Sequence, residues 1–102
     1  MNSIRPDIIA RITLLPTDQG GKTKTIPAIQ FGCPIQLEGE SFDCRLLLDQ
    51  IDSSLAPGQT VTVPIKFLYS ELARPRLKIG LLFTLHEIGK IGDGEILEII
   101  AP

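Results

Sequence analysis

Hydrophobic and polar positions alternate along most of the chain. In residues 7–15 (DIIARITLL), Ile8, Ala10, Ile12 and Leu14 share one face, and Arg11 and Thr13 share the other. A period of two with β-branched residues predicts a strand. Pro16 stops it, and residues 17–25 predict a polar loop centred on Gly20-Gly21. Residues 29–37 predict an irregular or edge strand, because Pro34 has no amide hydrogen to give to a ladder. Residues 38–41 turn, residues 42–48 form the next strand, and residues 49–56 connect to the turn dipeptide Pro57-Gly58.

The clearest strand covers residues 60–67. Val61, Val63, Ile65 and Phe67 lie on one face, with Pro64 and Lys66 opposite. Residues 68–75 form a loop with room for one helical turn. Residues 77–87 then alternate throughout, with Leu77, Ile79, Leu81, Phe83 and Leu85 on one side and Lys78, Thr84 and His86 on the other. A last strand runs from about residue 92 to residue 100. No segment carries the 3.6-residue period of a helix. Many short strands with Gly and Pro turns predict an all-β sandwich or small barrel. The expected architecture is a small closed antiparallel β-barrel of about six strands. It forms one domain over residues 1–102, with 1–5 as a frayed end.

The stretch HEIGKIGDGEIL, residues 86–97, joins the last two strands. A tight turn is expected at Ile88-Gly89-Lys90. Gly92 and Gly94 lie two apart and so face the same side. Glycine inside a strand marks a bulge, a barrel corner or a close backbone approach.

Composition narrows the function. Hydrophobic residues make up 43% of the 102 and charged residues 22%, as in ordinary globular domains. No run reaches the ~18 to 20 apolar residues that span a bilayer, and the N-terminus lacks the apolar core of a signal peptide. A cytoplasmic setting without membrane contact is expected. The net charge of −2 gives no global pull toward nucleic acid. Cys33 and Cys44 fit no zinc spacing, and His86 is far from both. A hairpin tipped by Glu38-Gly39 would set Cys33 opposite Cys44. Buried reduced thiols are the expectation, with a disulfide as the alternative.

Candidate chemistry is sparse. The run PTDQGGKT, residues 16–23, falls short of a phosphate-binding loop, since Pro16 stands where the first glycine belongs and Pro27 follows too soon for a helix. No nucleotide site is expected. His86 and Glu87 are neighbours in a strand and point to opposite faces. No nucleophile–base set, paired carboxylates or metal cluster stands out, so no catalytic residue, cofactor or metal is assigned and no enzyme is expected. Basic residues gather at Lys22 with Lys24 and at Arg74, Arg76 and Lys78, and no aromatics interleave for base stacking.

The order of the pieces does resemble a known family. A first strand leads to Asp18-Gln19-Gly20-Gly21-Lys22-Thr23. Later comes Leu55-Ala56-Pro57-Gly58-Gln59-Thr60-Val61, and the run from Leu82 to Ile96 closes the chain. This resembles the C-terminal β-barrel, domain III, of translation elongation factor Tu, over about residues 6–100. Phe83, Glu87, Gly89, Gly92 and Gly94 match that family's closing run, with Lys90 in place of an arginine. His86 and Ile88 depart from it, and the hairpin is one residue shorter. No Walker motif or guanine-reading motif occurs, so GTP hydrolysis is not implied.

The resemblance, the missing catalytic groups and the Pro34-bearing strand together suggest a stand-alone, non-enzymatic barrel that binds a protein partner, with outward-facing Leu82 and the nearby Ile88 and Ile91 as expected contact residues. The alternative is a transfer-RNA-binding accessory factor of translation, with Lys22, Lys24, His86 and Lys90 converging on one face. A small-ligand binder would need a pocket of convergent polar groups, which the sequence does not offer.

Overall fold

A computed structural model describes residues 4–102. Six strands form a closed antiparallel barrel: β1 (Ile8–Leu14), β2 (Gln30–Leu37), β3 (Glu40–Leu47), β4 (Thr60–Phe67), β5 (Leu82–His86) and β6 (Lys90–Ile99). Their order around the barrel is β1-β4-β3-β2-β5-β6, and β6 closes on β1. The one α-helix among the described residues, α1 (Ser70–Ala73), is a single turn continued by a 3-10 turn at Arg74–Arg76. The expected frayed segment falls partly outside the described residues. Within it, Gln50 Nε2 donates to the Ile4 carbonyl at 2.6 Å and Arg5 Nη2 to the Ala101 carbonyl at 2.9 Å.

The alternation in the sequence becomes the inside and outside of the barrel. Ile8, Ala10, Ile12 and Leu14 of β1 are fully buried, as are Val63, Ile65 and Phe67 of β4. Ile35, Leu37, Leu46, Leu85 and Ile96 complete the same core. Each large aliphatic side chain withdrawn from water contributes roughly 1.5–3 kcal/mol. Outside the strands, Ile26 and Leu55 form an antiparallel bridge, and both side chains are buried in the core.

The hairpin linking β2 and β3 turns on Glu38 (φ 49°) and Gly39 (φ 84°). Two consecutive left-handed residues make the tight loop whose twist matches its strands. It sets Cys33 opposite Cys44, as the sequence predicts. Both thiols are free and buried, and Cys44 Sγ donates to the Cys33 carbonyl at 3.3 Å.

One expectation is corrected. The long strand expected over residues 77–87 is only β5, from Leu82. Gly80 takes a left-handed φ of 88° and bends the chain, so Ile79 is 69% exposed instead of facing inward. The strand bearing Pro34 belongs to the closed barrel but is irregular, as expected. It pairs with β5 only at Ile35 and Gln36, and Pro34 sits where that pairing stops.

Gly92 and Gly94 share a buried face, and the reason is space. Gly94 pairs with Phe83, and a Cβ at Gly94 would overlap the Phe83 ring. A Cβ at Gly92 would lie 2.7 Å from the Thr13 carbonyl oxygen. Between β5 and β6 the register slips, Leu85 pairing with Gly92 and His86 with Lys90. Ile91 is the extra residue of this bulge.

Candidate functional site

The four residues expected to converge lie around the turn between β5 and β6. The loop containing Lys22 and Lys24 faces Glu87, Ile88, Gly89 and Ile91 across an open cleft of about 360 Å³, which neither His86 nor Lys90 lines. The Gly21 amide donates to the Pro16 carbonyl at 3.2 Å, and Thr17 Oγ1 donates to the Lys22 carbonyl at 2.8 Å, which fold the loop down. The chain after Lys22-Thr23 is not helical, so no helix N-terminus faces the loop. His86 and Lys90 are cross-strand partners and therefore share a face.

Their charges are largely engaged. Lys22 Nζ lies 2.7 Å from Glu87 Oε1 and 5.4 Å from the centre of the Phe31 ring. Lys90 Nζ lies 2.9 Å from Asp93 Oδ1. His86 Nε2 shares a hydrogen bond with Thr84 Oγ1 at 2.8 Å. Lys24 alone of the three lysines has no carboxylate partner among the described residues. A phosphate arriving here meets Glu87 and Asp93 as well as the lysines.

The apolar trio is divided. Leu82 is 69% exposed and Ile88 fully so, but Ile91 is 5% exposed. Ile91 is therefore corrected from a contact residue to a core residue: the bulge turns it inward. Leu82 opens β5 and Ile88 lies beyond its far end, and four residue steps of strand alone span on the order of 13 Å. These two side chains form no common patch.

Three exposed apolar side chains lie instead at the opposite end of the barrel, where β4 runs into α1. Leu68 (55%), Tyr69 (57%) and Leu72 (63%) are all exposed there. Tyr69 and Leu72 border a cleft of about 310 Å³ together with Phe42, Asp43, Glu40 and Ser41. Phe42 is half-buried, its ring edge-on to Phe67 with centroids 6.4 Å apart. Leu68 borders a second cleft of about 260 Å³ with Gly32, Pro34, Asp43 and Arg45. Asp43 of β3 lines both clefts. The sequence does hold a signal for this surface: Leu68, Tyr69 and Leu72 fall in a short connection, where apolar side chains have no strand face to bury them.

This corner is held by Asp7, which no motif marked. Its carboxylate is 2% exposed by residue area. Oδ2 accepts from the Phe67 amide at 2.8 Å and Ser70 Oγ at 2.9 Å, and Lys66 Nζ stands 3.4 Å away. Oδ1 accepts from Arg74 Nη2 at 2.8 Å. Burial pushes the carboxyl upward, but the Phe67 amide, Ser70 hydroxyl, Lys66 charge and Arg74 guanidinium outweigh it and hold Asp7 below the usual carboxylate value. Three hydrogen bonds and the Lys66 ion pair hold this buried carboxylate within the fold, so Asp7 is a tie between strand and helix.

The other perturbed group is Cys44. Its hydrogen bonding with Cys33, its burial and the nearby charge of Asp43 push the thiol well up, so it stays protonated and a poor nucleophile. Among the described residues, no three His, Cys, Asp or Glu side chains gather as a metal site. Among the described residues, no helix is long and apolar enough to cross a membrane. A scan against models of known protein families and a search of curated proteins found no match for this chain.

Proposed function

We propose that this barrel is a non-catalytic interaction module, similar to domain III of elongation factor Tu, that binds a protein partner. The observation that carries the reading is the exposed set Leu68, Tyr69 and Leu72 beside two clefts that share Asp43 in their walls. Exposed aromatic and aliphatic side chains next to a polar rim are the composition of a protein-binding surface. The contact residues are thus centred on α1 and β3, with Leu82 and Ile88 as separate exposed positions.

The likeness to the elongation factor domain draws support from the closed six-strand antiparallel barrel. It also draws support from the places of the matching motifs: Gly20 ends a 3-10 turn in a left-handed conformation, and the closing run forms the hairpin of β5 and β6. Free thiols fit a cytoplasmic setting. The second reading, a transfer-RNA contact through Lys22, Lys24, His86 and Lys90, has the shared end of the barrel in its favour. It is weakened by the carboxylates already paired with Lys22 and Lys90.

The test is affinity capture from native lysate, divided into RNase-treated and untreated halves. A specific protein partner retained after RNase supports the protein-binding reading. Recovery of transfer RNA, with proteins lost on RNase treatment, moves the function to RNA.

A further inference from the structure

Strand β2 has a partner along its whole length on one side and along only part of it on the other. Its register with β3 runs from Gln30 with Leu47 to Leu37 with Glu40. Its pairing with β5 is confined to Ile35 with Leu85 and Gln36 with Thr84. Strand β5 ends at His86, and the chain turns back into β6. Residues 30–34 are thus left without a strand beside them inside an otherwise closed barrel.

Alternation says which backbone groups face this gap. The Leu68 amide donates to the Asp43 carbonyl at 3.0 Å, so the Asp43 backbone faces away from β2. Its register partner, Pro34, must then face away from β3, and Gln30 and Gly32 are in step with Pro34. The N–H and C=O groups of Gln30 and Gly32, and the C=O of Pro34, point into the gap. Among the described residues, no backbone group pairs with Gln30 or Gly32 on that side. Both residues are exposed.

The geometry points to residues 30–34 as a docking edge to which an extended segment of a partner protein adds as a strand. This rests on the interaction-module reading and gives it a mode of binding. A row of main-chain donors and acceptors without a protein partner is recognised by the same groups of another extended chain. The outer face supplies selectivity. Gly32 carries no side chain, and a Cβ there would meet nothing nearer than the Cys44 carbonyl at 4.0 Å. An apolar residue of the added strand can lean across Gly32 into the cleft of about 260 Å³, against Pro34 and Leu68. Arg45 and Asp43 border it with charges of both signs.

Pro34 distinguishes a foreign segment from a second copy of this chain. Two copies paired antiparallel about Gly32 would set each Gln30 carbonyl opposite a Pro34 that has no hydrogen to donate. An acceptor stays unpaired in both copies. A partner segment meets that gap once.

A displayed library of random peptides of about eight residues, a strand's length, is the probe. Selected binders are mapped on the intact protein by NMR. The decisive variant is the protein joined by chemical ligation at Gly32–Cys33 with the Gly32 nitrogen methylated, which removes one donor facing the gap. Gly32→Val, which the open space tolerates, fills the outer cleft instead.

The expected result is cross-strand contacts between peptide and Gly32, with affinity falling about tenfold on methylation. Gly32→Val should weaken the same peptides while the barrel stays folded. Binders confined to Tyr69 and Leu72 would overturn the edge and leave the interaction-module reading standing. No binder at all would overturn the edge, and lysate capture would decide the parent reading separately. A dimer that methylation dissociates would overturn it in favour of self-pairing.

Discussion

Asp7 and Arg74 meet at 2.8 Å, joining the start of the first strand to the helical corner that follows the fourth. The bond sets where α1 leaves the barrel, and with it the position of Tyr69 and Leu72. Asp7 is buried, whereas Arg74 is partly open to solvent. The two ends of the contact therefore carry different weight. Removing the carboxylate leaves the Phe67 amide without its acceptor and two cations without their counter-ion. Asp7→Ala is expected to cost about 3–5 kcal/mol in urea unfolding. Arg74→Ala should cost less, because Lys66, Ser70 and Phe67 still satisfy the carboxylate.

The same site sets an acid limit. The Asp7 pKa is lowered on folding, so at acid pH the unfolded chain holds the proton more readily. The stabilisation is complete above the ordinary carboxylate value of about 4 and is lost as pH falls through the lower folded value. Urea midpoints recorded downward from about pH 5 should decline in the wild type. In Asp7→Asn this part of the decline should be missing. Parallel curves for the two proteins would show that Asp7 is not the group responsible.

Gly94 exists to admit the ring of Phe83. Gly94→Ala should destabilise the barrel by about 1–3 kcal/mol through overpacking. Combining it with Phe83→Leu should recover part of that loss, because the obstructing ring is gone. Thermal unfolding of the two single variants and the double variant forms the cycle, and strict additivity would contradict the contact.

The cysteines should be silent in the folded protein. Both are buried, and Cys44 is held protonated. A thiol-reactive chromophore should label neither at neutral pH until urea unfolds the chain. Rapid labelling of the native protein would contradict the packing of β2 against β3.

Much of this fold was legible because strand alternation is a local signal. Val63, Ile65 and Phe67 face inward in the strand read from them, and the Glu38-Gly39 turn fixes Cys33 opposite Cys44. Leu77, Ile79 and Leu81 kept the same alternation and misled, since nothing in that pattern shows that Gly80 will turn left-handed. Ile91 looked like a surface residue until the bulge between β5 and β6 turned it inward. Asp7 was invisible for another reason: its partners Lys66, Phe67, Ser70 and Arg74 are distant in sequence and meet it only when the barrel closes. The gap beside β2 is likewise a property of closure, hinted at only by Pro34.

Lys22 makes two contacts, with Glu87 and over Phe31. Lys22→Ala should lower stability by about 0.5–1 kcal/mol, and added salt should narrow the difference from wild type. Lys24→Ala should leave stability within about 0.5 kcal/mol of wild type. An equal loss in both variants would contradict the pairing.

The central claim concerns Leu68, Tyr69 and Leu72, and one comparison tests it most directly. The variant Tyr69→Lys combined with Leu72→Lys alters exposed side chains, so its urea midpoint should match the wild type closely. RNase-treated lysate capture with both proteins should then yield a specific partner with the wild type and lose most of it with the variant. Equal recovery of that partner from both proteins would contradict binding through this surface.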